Sequence, residues 1–218
     1  CGIAPEIFPI ASIPAFTPKN ALIIGIFAVL CALVSILFCT TLHNAERLYK
    51  RFFKNPYVRA LAGGLIVIGL TMLAGNQTYN GTGMNIITGC MEGKTVFPLA
   101  FLLKMIFTAA TLGAGYKGGE IVPTLFIGST FGTFFASAFG CSIPLCAAVG
   151  MGAVFCGVTN SPITSLMICF ELFGFDGMPY FLIAIALSYM LSGYYGLYSS
   201  QKIIYSKYKT EYINRKTH

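Results

Sequence analysis

Only 10% of the 218 residues are charged and the mean hydropathy is +0.76, whereas a soluble domain carries roughly 25% charged residues. This excludes an ordinary soluble fold and, with several apolar stretches near bilayer-spanning length and no short alternating segments, points to an all-α integral membrane protein rather than a barrel. The net charge of +7 does not indicate nucleic acid, because ten of the fourteen basic residues fall in two short stretches beside apolar spans: Arg47, Lys50, Arg51, Lys54 and Arg59, then Lys202, Lys207, Lys209, Arg215 and Lys216.

Residues 1–20, with Pro5, Pro9, Pro14 and Pro18, read as an extended or short-helix lead-in. The chain starts at Cys1 with no leader before it and reads as a fragment. Ala21–Leu42 carries no charge and is one full span. The first basic cluster follows as a helix extension, with Pro56 opening the next element. Ala60–Gly75 is a shorter apolar helix in which Gly63-Gly64 allows close packing. Gly75–Gly83 is a polar outside loop, and Met84–Lys94 a short amphipathic element. Phe97–Leu112 is apolar except for Lys104, which this close to a span end is expected to snorkel to the interface.

Four glycines then fall between Gly113 and Gly119, followed by Glu120 and by a run without charge from Ile121 to Phe170. Fifty residues exceed one helix, and Pro123, Gly140, Pro144, Asn160 and Pro162 divide the run into about three pieces. Pro123 marks a helix start. A glycine loop feeding a helix N-terminus supplies unpaired N–H groups and the positive end of a dipole, a ready anion site built of backbone. Gly128-x-x-x-Gly132 is a packing motif. Gly177–Gln201 is a last uncharged stretch, broken by Gly193-Tyr-Tyr-Gly-Leu-Tyr-Ser199. The transmembrane domain thus covers 21–201, and 202–218 is a basic tail, expected to be helical. The positive-inside rule places the basic loops and the C-terminus in the cytoplasm of a multi-pass inner (plasma) membrane protein.

Other chemistries find little support. Gly113-x-Gly115-x-x-Gly118 matches the dinucleotide fingerprint only formally, since no strand precedes it and no acid lies about 20 residues on. No Walker loop or nucleophile–base set occurs, so no enzyme is expected. With two histidines and no Cys-x-x-Cys, neither a metal site nor a cofactor is expected, and the cysteines read as buried free thiols.

Three ordered stretches resemble the second half of the CLC chloride channel and transporter family. Gly118-Gly-Glu-Ile-Val-Pro-Thr-Leu-Phe-Ile-Gly128 resembles its Gly-x-Phe-x-Pro anion motif. Gly150–Gly157 with Asn160-Ser-Pro-Ile-Thr and Phe170-Glu-Leu-Phe-Gly174 resembles the helices leading into its dimer interface, and Tyr198 matches its inner-gate tyrosine. The chain departs from the motif at Ile121, where the family has phenylalanine, and at Glu120, where it is usually apolar. Gly-Gly-Glu-x-x-Pro looks like the bacterial branch that includes fluoride/proton antiporters, although that branch has threonine where Val122 stands. The resemblance implies one of two inverted repeats, with short broken helices whose N-termini meet at an anion site, and a homodimer of the full-length protein with a separate pore in each subunit. The first repeat, absent from this chain, would carry the gating glutamate in a Gly-Arg/Lys-Glu-Gly segment. Neither version occurs here, so Glu120 is not that residue.

The implied function is chloride or fluoride transport across the lipid bilayer, coupled to protons as an antiport. A passive channel of the same family remains an alternative, as does a non-transporting membrane subunit needing a partner half. The expected ligands are the backbone at Gly119, Glu120, Ile121 and Val122 and the Tyr198 hydroxyl. Ionised, Glu120 repels an anion; protonated, it can donate a hydrogen bond to one, which makes it the candidate for proton coupling. The competing role is a plain helix cap.

Overall fold

A computed structural model describes Phe8, Ile10 and residues 13–217. Part of the expected lead-in (1–7, 9, 11 and 12) and His218 at the end of the tail lie outside the described residues. The eight described helices are α1 (Pro18–Phe52), α2 (Pro56–Ala74), α3 (Met84–Met91), α4 (Ala100–Gly113), α5 (Ile121–Phe139), α6 (Ile143–Thr159), α7 (Pro162–Phe173) and α8 (Met178–Leu191). Three of them, α1, α2 and α5, are long and apolar enough to cross a membrane.

The breaks follow local chemistry. Thr17 caps α1, its hydroxyl accepting from the Asn20 N–H, with Pro18 in the first turn. α1 then runs through the first basic cluster as far as Phe52. Asn55 and Pro56 open α2 in the same way. The uncharged run divides at Gly140 and at Asn160, both left-handed, into helices of 19, 17 and 12 residues. Asn160, at φ 55°, is one of two described non-glycine residues with positive φ. A short polar side chain tolerates that conformation.

α6 is the axis of the core. Every residue from Pro144 to Thr159 is buried, as expected for a helix apolar on all sides. It packs on α5, α1, α8, α7 and α3. Glycines set the α5–α6 distance: a Cβ on Gly128 would lie 2.5 Å from the Gly150 carbonyl oxygen, and one on Gly132 would collide with the Cys146 carbonyl. α2 is peripheral. Gly63 is its one buried residue, and it exposes Leu61, Leu65, Ile68, Met72 and Leu73. The seven described cysteines are free.

Two sequence expectations give way. Lys104 does not snorkel; it is 2% exposed. The tail is not helical. β1 (Lys202–Tyr205) and β2 (Tyr212–Lys216) form an antiparallel hairpin, pairing Lys202 with Lys216 and Tyr205 with Tyr212. Isoleucine and tyrosine favour a pleated surface, and the Tyr205 and Tyr212 rings meet edge to face at 5.9 Å, a cross-strand pair that outweighs the helical character of the lysines.

Candidate anion site

The loop between α4 and α5 is tethered at its start. Arg59 Nε donates to the Ala114 carbonyl at 3.2 Å, and the Tyr116 hydroxyl donates to the Ala60 carbonyl at 2.8 Å. Gly115 has φ +96° and faces the Arg59 guanidinium, a position that requires glycine. These ties leave Gly118 and Gly119 exposed ahead of Glu120.

Glu120 is the N-cap of α5, yet its side chain makes no capping hydrogen bond. Its carbonyl accepts from the Thr124 N–H and hydroxyl. No described residue accepts from the N–H of Ile121 or Val122. The first turn of α5 therefore presents free donors at the positive end of a 19-residue helix. The carboxylate of Glu120 lies near the Tyr198 hydroxyl and the His43 ring. Residues from α5 and from the segment after α8 are thus brought together. Ile121, which is 46% exposed, does not close over them.

The end of α5 separates two cavities. One, of about 280 Å³, is lined by Glu120, His43, Glu46, Lys117, Leu197 and Ser199 among others. The other, of about 380 Å³, is lined by Gly119, Val122, Pro123, Thr108, Thr82 and Lys104. Leu112 and Gly118 border both. The stretch Gly119–Val122, expected from the sequence to bind the anion, is therefore divided between the two: Glu120 on one side, Gly119 and Val122 on the other.

Sequence reasoning missed two residues. His43 Nε2 lies 2.9 Å from the Gly196 carbonyl, joining α1 to the Tyr198 segment. Its signal was its rarity, a single histidine closing a long apolar span. Lys104 was misjudged through its position in the sequence. Its ammonium donates to the carbonyls of Tyr79 (3.1 Å) and Gly81 and lies 5.1 Å from the centre of the Phe126 ring. It pins the 79–83 loop over α5. Lys104→Met keeps the length but leaves the buried Tyr79 carbonyl unpaired, at about 1–3 kcal/mol. The thermal midpoint of the purified protein is expected to fall by about 5 °C, at about 2–4 °C per kcal/mol. An unchanged midpoint would show the tie to be dispensable.

A family model described as voltage gated chloride channel matches residues 3–193. A "Chloride/fluoride channel protein" of Pseudomonas syringae pv. tomato is 34% identical over 182 residues, covering 81% of this chain and 40% of the relative. An "H(+)/Cl(-) exchange transporter ClcA" of Vibrio cholerae is 26% identical over 179 residues, covering 75% of this chain and 38% of the relative. Among solved structures, a CLC-type fluoride/proton antiporter superposes with a TM-score of 0.86 at 30% identity, covering 90% of this chain and 50% of that one. The chain thus spans half or less of the length of these relatives.

Proposed function

Because this chain belongs to the voltage gated chloride channel (CLC) family, whose members are integral membrane proteins, we propose that it forms one repeat of an anion transporter that exchanges chloride or fluoride for protons. It is a transporter rather than an enzyme. It works beside a second repeat and as a homodimer, with its basic loops and C-terminus on the cytoplasmic side of the inner membrane. The observation that carries the reading is the free first turn of α5 between two cavities, with the Glu120 carboxylate and the Tyr198 hydroxyl near it.

An anion crossing between the cavities sheds water. The N–H groups of Ile121 and Val122 replace part of its hydration shell, and the helix dipole favours its charge. Neutral donors bind without trapping, so the ion can leave. The Tyr198 hydroxyl has one proton to donate. An ionised Glu120 draws that hydrogen bond to itself and repels the anion. A protonated Glu120 leaves the hydroxyl to the anion and can add a donor of its own. Anion occupancy and protonation of Glu120 are then linked, each shifting the equilibrium of the other.

The test is flux. With the complete transporter in liposomes, a fluoride or chloride gradient is expected to drive protons uphill. Anion flux without proton movement would make it a passive channel. No flux of either anion would overturn the reading. Tyr198→Ala is expected to weaken anion binding by about tenfold in titration calorimetry, the equivalent of about 1.4 kcal/mol, and equal affinity would remove Tyr198 from the site.

A further inference from the structure

Tyr198 stands on a stretch without helix or strand, 43% exposed, between α8 and the hairpin. Such a segment cannot hold a hydroxyl in place unaided. α6 supplies part of the support: the Leu197 N–H donates to the Val158 carbonyl at 2.9 Å, and the Gln201 side-chain amide donates to the Thr159 carbonyl at 3.0 Å. His43 on α1 holds Gly196.

The C-terminal hairpin closes the remaining side. The Thr217 hydroxyl donates to the Tyr198 carbonyl at 2.6 Å, and the Thr217 N–H donates to the Gln201 carbonyl at 3.1 Å. From the turn between the strands, Lys207 reaches inward. Its ammonium donates to the Tyr189 carbonyl at 2.8 Å, to the Ser192 hydroxyl at 3.3 Å and to the Asn160 side-chain carbonyl. It also lies 4.2 Å from the centre of the Tyr189 ring. The Asn160 amide nitrogen in turn donates to the Tyr195 carbonyl at 2.8 Å. A cation on the Asn160 oxygen fixes which end of that amide faces Tyr195. Gly196 sits between the two contacts: a Cβ there would lie 3.0 Å from the Asn160 amide nitrogen and 3.1 Å from the Thr217 methyl.

We infer that the C-terminal hairpin is a clamp on the 195–201 segment, with Lys207 and Thr217 as positioning residues for the Tyr198 hydroxyl at the anion site. The inference rests on the proposed role of Tyr198. The hairpin lies beyond the 3–193 region matched by the family model. Lys207 is a costly way to fasten a tail, since burial lowers its pKa from 10.5 to about 8. An apolar side chain would anchor the hairpin at less cost. What the ammonium adds is direction, imposed on Asn160.

Hydrogen exchange and calorimetry on the complete transporter test the clamp, comparing wild type, Lys207→Met, Thr217→Val and Tyr198→Phe, with chloride and fluoride as probes. Lys207→Met and Thr217→Val are each expected to speed amide exchange at Leu197 and Gln201 by about tenfold, from the loss of the charge-assisted bonds of Lys207 or of the short Thr217 bond. Exchange within α6 stays unchanged. Both variants also weaken anion binding, and Lys207→Met adds nothing further in a Tyr198→Phe background. Unchanged exchange over 195–201 would overturn the clamp. Faster exchange with unaltered affinity, where Tyr198→Phe does weaken binding, would overturn its link to the anion. If Tyr198→Phe itself leaves affinity unaltered, the role of Tyr198 fails, and the exchange data alone then decide the clamp. Should Lys207→Met not fold, Thr217→Val, a change of one hydroxyl to methyl, carries the same comparison.

Discussion

Glu120→Gln is expected to abolish proton movement while anion flux continues. Glutamine matches glutamate in size, and its carbonyl can still accept a hydrogen bond from a nearby hydroxyl such as that of Tyr198. What it cannot do is bind and release a proton. A positioned proton carrier is typically worth about a hundredfold or more in rate, so proton flux through the complete transporter should drop by at least that factor. Anion binding should also lose its dependence on pH, because the amide neither repels the ion nor switches. Paired recordings of anion efflux and internal pH in liposomes measure both. An unaltered proton-to-anion ratio would reduce Glu120 to a bystander at the helix end. The competing role as a helix cap is disfavoured, since the side chain makes no capping hydrogen bond.

Gly132→Val should prevent assembly of the core. The added carbons would meet the Cys146 carbonyl and the Ala147 Cα, both backbone. No rotamer change on α6 can relieve that. Extra methylenes in a packed core cost about 1–3 kcal/mol when side chains can yield, and here the helices would have to separate. α6 is buried along its whole length and cannot retreat without opening its contacts to α1 and α8. The expected result is loss of the monodisperse peak in size-exclusion chromatography and loss of flux. Gly69→Val, on exposed α2 with nothing within 4 Å of its Cβ, serves as the control and is expected to behave as wild type. A well-folded Gly132→Val would refute the close crossing. The same crossing sets where the α5 N-terminus stands, so this packing is also a condition of the anion site.

Much of this was legible in the chain. Pro56, after Asn55, announces a helix start, because a side-chain acceptor followed by proline satisfies the first turn; the same pair at Thr17-Pro18 opens α1 three residues ahead of the span expected from Ala21. Gly140 and Asn160 announce ends, because few other residues adopt a left-handed backbone. The glycine loop with Glu120 ahead of α5 marked the proposed anion site for the same reason: free amides at a helix start are a consequence of local backbone geometry. The resemblance at Tyr198 supplied the second half of the proposed site, which no local pattern would have marked among twelve tyrosines.

Three features could be decided only by the tertiary structure. Lys104 reads as a surface lysine until the 79–83 loop folds over it and offers two carbonyls. The tail reads as helix until Tyr205 and Tyr212 meet and Lys207 finds acceptors on α6 and α8. His43 has no evident purpose until Gly196 arrives beside it. By itself the sequence marked the main breaks between helices and the glycine loop ahead of α5, because those depend on a few adjacent residues. Which polar groups meet across the fold was left to the tertiary structure, because a buried donor's partner is chosen by packing between segments far apart in the chain.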